Sequence, residues 1–356
     1  MFKIEEVKKL LKGGDMFLRA FLLIVVMLVG KVHAGLDYDD PNIGEVVKKK
    51  YGLPFPKDYN RSVLKEAFKG DNRLPTGLVY AIEKKGIYID LWKAEMAIHD
   101  EKFELANKYL EQAKQKDAKN HMIYWLSAKN LMFEGLRQDE KATKIKGKLF
   151  NRGYKEALKC RALSPETYNC EVHVGSLLGR VMTNAGIWSA LFNASKVEKA
   201  FLNANRLANS GKSQHYRYSS GNEGIGVSAF ALGIMYRMAP HGWFMKLLSP
   251  VDGDFVKSIK FHKQNLNMNP MEPESHTELG ASYLCKWLTD KDDQAKAEGI
   301  DVLNKCRSLP KPTKKTTMMS YKDCSKLIKQ PKLACGYSKD RQQETDPDKI
   351  KAKVKK

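Results

Sequence analysis

Two short runs of the chain share one pattern, a leucine and a glycine followed three residues later by a tyrosine. They read "FALGIMY" at 230–236 and "TELGASY" at 277–283, and their glycines, Gly233 and Gly280, stand 47 residues apart. From Leu78 onward apolar residues recur at steps of three and four, whereas strand-like alternation is nearly absent. A repeated helical pattern of this kind predicts an all-α fold built from successive helix pairs.

Each run is expected to lie on the first helix of a hairpin, with small and large residues alternating by turns on the second helix. Small residues let two helices approach closely, large ones fill the space beside them, and proline ends the second helix. Asp254 is expected to cap one second helix. The two clearest hairpins use Leu232, Gly233, Tyr236, Ser258, His262, Asn265 and Pro270 in one, and Leu279, Gly280, Tyr283, Gly299, Leu303 and Cys306 in the other.

Three earlier units follow the pattern more loosely, at about 87–120, 124–165 and 178–204. In the third, the first helix is expected to pair Leu178, Gly179 and Met182 with Val197, Phe201 and Ala204 of the second helix. Five such units over 87–312 resemble the tetratricopeptide repeat, a helix pair of 34 residues, with long loops inside the repeats. The resemblance implies a TPR-like α-solenoid of about five hairpins. The chain is similar in this respect to exported bacterial tetratricopeptide proteins, including those that accompany TRAP-type transporters.

In stacked repeats of this kind the first helices line a concave groove. The residues one turn away from the packing positions are therefore candidates for binding a partner, and arginine and lysine among them suit an anionic group. Two aromatic residues in the long loop after Pro240, Trp243 and Phe244, are candidate anchors. The groove candidates are Trp125, Lys129, Phe133, Arg180, Asn184, Phe230, Ile234, Arg237, Thr277, Ala281 and Leu284.

The N-terminal residues have the features of a secretory signal peptide. Arg19 precedes a ten-residue apolar run at 21–30, and Ala34 follows it as a small residue at a cleavage site. Translation from Met16 would give a signal of ordinary length. We expect residues 1–34 to be removed and the protein to be periplasmic or secreted, with an uncleaved membrane anchor as the alternative. Residues 35–86 then form an irregular lead-in with short helical segments.

The chain is strongly basic, with a net charge of +21. Residues 311–356 carry fourteen basic and five acidic side chains, and we expect 313–356 to form a largely disordered tail. Such a tail is either simply solvated or weakly attracted to anionic surfaces. The expected export and the lack of a recognisable nucleic-acid-binding motif argue against nucleic acid as a partner.

Six cysteines in an exported chain favour disulfides, although six allow fifteen complete pairings. Cys160 and Cys170 flank the turn at Pro165 and are the first predicted pair. Cys324 and Cys335 are the second.

We find no arrangement that indicates catalysis, a cofactor or a metal site. No two of the eight histidines have the spacing of a zinc motif, and "GNEGIGVS" at 221–228 lacks the strand and the lysine of a phosphate loop. The chain is expected to be a scaffold or adaptor, without enzymatic activity, that binds a protein or peptide in its groove. The alternative is a periplasmic accessory protein that encloses a small anionic solute for a transporter.

Overall fold

The computed structural model describes residues 49, 86–139, 142–185, 187–210, 221–239, 251–312 and 315–337. These residues form eleven α-helices and one short 3-10 helix, with no strand among them, so the all-α prediction is confirmed. The predicted signal segment 1–34 and nearly all of the lead-in 35–86 lie outside the described residues. The helices are α1 Ile87–His99, α2 Phe103–Lys116, α3 His121–Arg137, α4 Thr143–Leu163, α5 Tyr168–Ala185, α6 Ile187–Asn209, α7 Gly221–Met238, α8 Phe255–Met268, α9 Pro273–Asp290, α10 Asp293–Ser308 and α11 Lys315–Lys329, followed by the 3-10 helix Pro331–Leu333.

Every helix packs against the next one along the chain. The odd-numbered helices also contact one another in order, from α1 to α3 and onward through α5, α7, α9 and α11. The described helices therefore form consecutive hairpins whose first helices contact the first helices of the next hairpin.

Capping residues set several of these boundaries. Asp254 accepts a hydrogen bond from the backbone N–H of Lys257 at 2.9 Å, as predicted, and Asp292 accepts one from Ala295 at 3.0 Å. Proline begins α9 at its first position, where its missing N–H has no helical acceptor to lose. Local sequence signals thus start α8, α9 and α10.

The two glycines of the repeated runs lie where first and second helices meet, as predicted. A Cβ at Gly280 would lie 2.5 Å from Cγ of Leu303, and a Cβ at Gly233 would lie 2.6 Å from the His262 ring. Neither distance leaves room for a methyl group. The neighbouring residues Leu232, Tyr236, Leu279 and Tyr283 are buried, as expected of packing positions.

The third hairpin has a different register from the predicted one. Gly175, not Gly179, lies against Phe201, because a Cβ at Gly175 would be 3.0 Å from that ring. A Cβ at Gly179 would make only an ordinary contact of 3.9 Å with Val197. Valine and serine flank Gly175, so the leucine-glycine signature one turn later was the misleading signal.

Three disulfides join the six cysteines. Cys160–Cys170 links α4 to α5, which confirms the first predicted pair. The predicted pair Cys324–Cys335 is wrong, because the structure pairs Cys285 with Cys335 and Cys306 with Cys324. Three disulfides indicate a chain that folds in an oxidising compartment, outside the cytosol.

The basic C-terminal segment is not solvated along its whole length. Residues 315–329 form α11, which packs on α9 and α10. Cys324 joins α11 to α10 through its disulfide, and Cys335 joins the turn after the 3-10 helix to α9. Cys324 and Leu327 are buried in the same cluster as Leu303. The compact part of the chain therefore extends beyond 312 to at least Tyr337.

Candidate partner-binding face

The clearest functional candidates lie on α3, where Trp125, Lys129 and Phe133 follow one another at four-residue steps. That spacing places them along one side of the helix. Trp125 is buried, whereas Lys129 and Phe133 are half-buried. The Lys129 ammonium lies 5.6 Å from the centroid of the Trp125 ring, within range of a cation–π attraction.

Lys129 also faces a carboxylate on the preceding hairpin. Its Nζ lies 3.6 Å from Oε1 of Glu95 on α1, and the two side chains are 25% and 13% exposed. The other oxygen, Oε2, is buried and accepts no hydrogen bond from any described residue. A donor supplied by a bound chain would satisfy that oxygen, since a buried carboxylate oxygen without a donor is unfavourable.

His173 of α5 extends this arrangement to a third hairpin. Its ring stands edge-on to Trp125, with centroids 6.2 Å apart, and its Nδ1 lies 2.8 Å from the backbone oxygen of Asn169. Burial, assisted by the positive charge of Lys129, lowers the pKa of His173 to about 4. The imidazole is therefore neutral at neutral pH, and its Nδ1–H donates to Asn169.

We refer to Glu95, Trp125, Lys129 and His173 as the Lys129 cluster. Sequence reasoning missed Glu95 and His173. Glu95 stands 34 residues before Lys129, which is the period of the resembled repeat, so aligning the first two units position by position would have found it. His173 had no comparable signal, because in the observed register it corresponds to the buried Leu126 and not to a groove position.

Arg180 and Asn184, farther along α5, do not continue the cluster. Arg180 is half-buried, and Asn184 donates a hydrogen bond to the backbone oxygen of Thr143 at 3.0 Å. Asn184 thus connects α5 to the start of α4. With Gly175 as the contact glycine, the position that corresponds to Lys129 is Ser176, not Arg180.

On α7, Phe230 and Ile234 are half-buried, and Phe230 stands edge-on to His262 at 6.1 Å. Arg237 was expected to face the groove, and this is wrong. Its side chain is 0% exposed and donates hydrogen bonds to Glu278 and to the backbone oxygens of Ala334, at 3.0 Å, and Tyr337, at 2.8 Å.

The candidates on α9 are buried as well. Thr277, Ala281 and Leu284 have no exposed surface, and Oγ1 of Thr277 donates to the backbone oxygen of Pro273 at 2.7 Å. The same oxygen lies 3.0 Å from Sγ of Cys324 on α11. These residues fail as groove candidates because the folded C-terminal segment covers them. Trp243 and Phe244 lie outside the described residues.

The described residues contain neither a recognisable metal site nor a membrane-spanning helix. Among them no group of three or more histidine, cysteine, aspartate or glutamate side chains is arranged to hold a metal ion. None of the helices in the described ranges is both long and apolar enough to cross a membrane.

His262 is completely buried, and burial together with the nearby Arg237 lowers its pKa well below the ordinary value.

Comparison with known proteins adds no family assignment. No protein-family model matches the chain, and no curated protein matches it significantly.

Proposed function

We propose that this protein is an exported scaffold or adaptor without catalytic activity, a TPR-like α-solenoid that binds a protein or peptide along its first helices. The ordered contacts of α1, α3, α5, α7, α9 and α11 support the solenoid, because stacked hairpins contact their neighbours in this way. The three disulfides support export, and with the expected signal peptide they favour the periplasm or the exterior.

The observation that carries the binding proposal is the Lys129 cluster. Two adjacent hairpins place a carboxylate and an ammonium 3.6 Å apart, beside an indole and next to the half-buried Phe133. Tryptophan is among the side chains enriched in binding hot spots. The Glu95 oxygen that accepts no hydrogen bond from a described residue provides an acceptor for a backbone N–H or a cationic side chain of the partner.

This proposal places the binding face in the N-terminal half of the helical array, on α1, α3 and α5. The buried Thr277, Ala281 and Leu284 are unavailable at the other end, since α11 covers them. The alternative of an enclosed anionic solute relied on Arg180 and Arg237 together. Because the Arg237 side chain is completely buried and donates to Glu278 and two carbonyls, a protein or peptide partner is better supported than an anionic solute.

Photo-crosslinking tests this proposal. A photoreactive phenylalanine analogue replaces Phe133 in the full chain, and a matched control carries it at Leu105, an exposed position on α2. We expect a discrete protein adduct from position 133 in intact cells that is absent from position 105. The same adducts from both positions, or none from 133, would overturn the assignment of this face.

A further inference from the structure

Basic residues are concentrated on α4. This helix carries seven basic and one acidic side chain, whereas α1, α3 and α5 together carry four of each. The surplus charge is therefore not confined to the C-terminal segment, and it lies on a second helix rather than on the first helices that form the proposed binding face.

Five of these residues form a continuous stripe. They follow one another at steps of four, four, three and four residues, and all five are exposed. At about 100° per residue they fall within roughly 80° of the helix circumference. We call them the α4 stripe: Lys144, Lys148, Arg152, Lys155 and Lys159.

The stripe lies opposite the buried face of α4. That face consists of Leu149, Phe150, Gly153, Ala157 and Cys160, which pack toward α3 and α5. The other two basic residues are used differently, since Lys146 is buried and Arg161 lies near Glu171 of α5 at 3.6 Å. Packing of the fold thus explains Lys146 and Arg161 but gives the stripe no internal role.

Almost none of the stripe's charge is neutralised within the described part of the chain. Only Lys159 forms an ion pair there, with Glu156 at 2.9 Å. Lys144, Lys148, Arg152 and Lys155 make no side-chain ion pair or hydrogen bond with another residue that the structure describes. Five adjacent like charges repel one another, and an anionic surface relieves that repulsion.

Two exposed apolar side chains border the stripe on one side. Ile145 is 52% exposed and Leu163 is 44% exposed. They are 18 residues apart, which is about five turns at 3.6 residues per turn, so they lie on one line along the helix. An acidic protein would be matched by the charges alone. Exposed apolar groups beside a lysine face are typical of helices that lie in a membrane interface.

The same combination recurs on α8. That helix carries three lysines and no acidic residue, and its Val256 is 69% exposed. We propose that the α4 stripe binds the surface of a membrane that contains anionic phospholipid, with Ile145 and Leu163 entering the interface beneath the headgroups. The first-helix face would then remain available for a protein partner.

Vesicle binding by the full chain tests this inference. Vesicles of phosphatidylcholine alone are compared with an equimolar mixture of phosphatidylcholine and phosphatidylglycerol. The N-terminal region is the same in every variant and meets both kinds of vesicle, so the difference between the two kinds isolates the charge. We expect tighter binding to the anionic vesicles, weakened by salt.

The triple variant K148Q/R152Q/K155Q should lose about tenfold or more of the affinity for anionic vesicles, since each basic residue near the surface contributes substantially. The matched control K108Q/K322Q/K326Q removes three other exposed lysines, from α2 and α11, and should lose clearly less. The variant I145Q/L163Q should bind vesicles more weakly while its binding to soluble polyglutamate stays unchanged. Thermal unfolding midpoints close to that of the parent would show that each variant is folded.

Three results would overturn the inference. They are equal losses in the triple variant and its control, equal binding to both kinds of vesicle, and stripe-dependent binding to polyglutamate without binding to vesicles. The last result would assign the stripe to acidic proteins instead.

Discussion

Arg237 of α7 and Glu278 of α9 form an ion pair in which both side chains are completely buried. The arginine also donates to the backbone oxygens of Ala334 and Tyr337, and its guanidinium lies 5.8 Å from the centroid of the Tyr337 ring. One side chain therefore connects the fourth hairpin, the fifth hairpin and the C-terminal segment. It stabilises the structure instead of binding a partner.

Removing this arginine should destabilise the fold strongly. R237M leaves Glu278 buried without its counter-charge, and we expect the free energy of unfolding to fall by about 3–5 kcal/mol. The double variant R237M/E278L removes both charges and should recover much of that loss. Urea unfolding measures both, with K260M as an exposed control that changes stability by less than about 0.5 kcal/mol. An R237M protein as stable as the parent would contradict this role.

Alanine should change the stability of the protein in opposite directions at Gly280 and at Gly179, because only Gly280 is tightly packed. G280A forces a methyl group against Leu303 and should cost about 1–3 kcal/mol of stability. G179A has room for the methyl group and should be neutral or stabilising by up to about 1 kcal/mol, because alanine favours the helix. Thermal or urea unfolding compares them. A destabilised G179A variant would support the register predicted from the sequence, in which Gly179 lies at the close contact between the two helices.

The disulfide pairing can be read directly from peptides of the unreduced protein. We expect Cys285 linked to Cys335 and Cys306 linked to Cys324. Replacing Cys285 and Cys335 by serine opens a loop of 50 residues and should cost about 4 kcal/mol of stability, compared with about 3 kcal/mol for the ten-residue Cys160–Cys170 loop. A peptide joining Cys324 to Cys335 would show that the observed arrangement is wrong.

His173 should make stability depend on pH. Its folded pKa, about 4, lies below the ordinary value of 6.5, so the unfolded chain takes up a proton first as the pH falls. The contribution is complete above pH 6.5 and decreases as the pH falls toward 4, by about 3 kcal/mol. H173N keeps an amide donor at the position of Nδ1 for the backbone oxygen of Asn169 but does not titrate. The stability of the parent relative to H173N should therefore fall over this interval, and parallel curves would refute the assignment.

The sequence predicted the all-α fold because the signals of its helices are local. Apolar spacing, Asp254 at a helix start and the glycines at 233 and 280 each act within a few residues or between adjacent helices. The third hairpin was misplaced because Gly175 and Gly179 lie one turn apart on one helix.

What the sequence did not reveal depends on distant contacts. Arg237 has partners 41 and about 100 residues away, and nothing near it distinguishes a buried arginine from a solvated one. Residues 315–337 are rich in lysine, and their few apolar residues are buried only because they pack against α9 and α10. Trp125, Lys129 and Phe133 lie along one side of α3, and their binding role stays a prediction.

Reversing the two charges of the Lys129 cluster tests whether this cluster binds a partner. K129E places two carboxylates together and should reduce both stability and capture of the protein crosslinked from position 133. The double variant E95K/K129E restores an internal ion pair with its polarity reversed. We predict that it recovers stability but not capture, because the partner meets the opposite arrangement of charges. Capture restored to the parental level in E95K/K129E would show that the pair serves the fold alone and that the Lys129 cluster does not bind the partner.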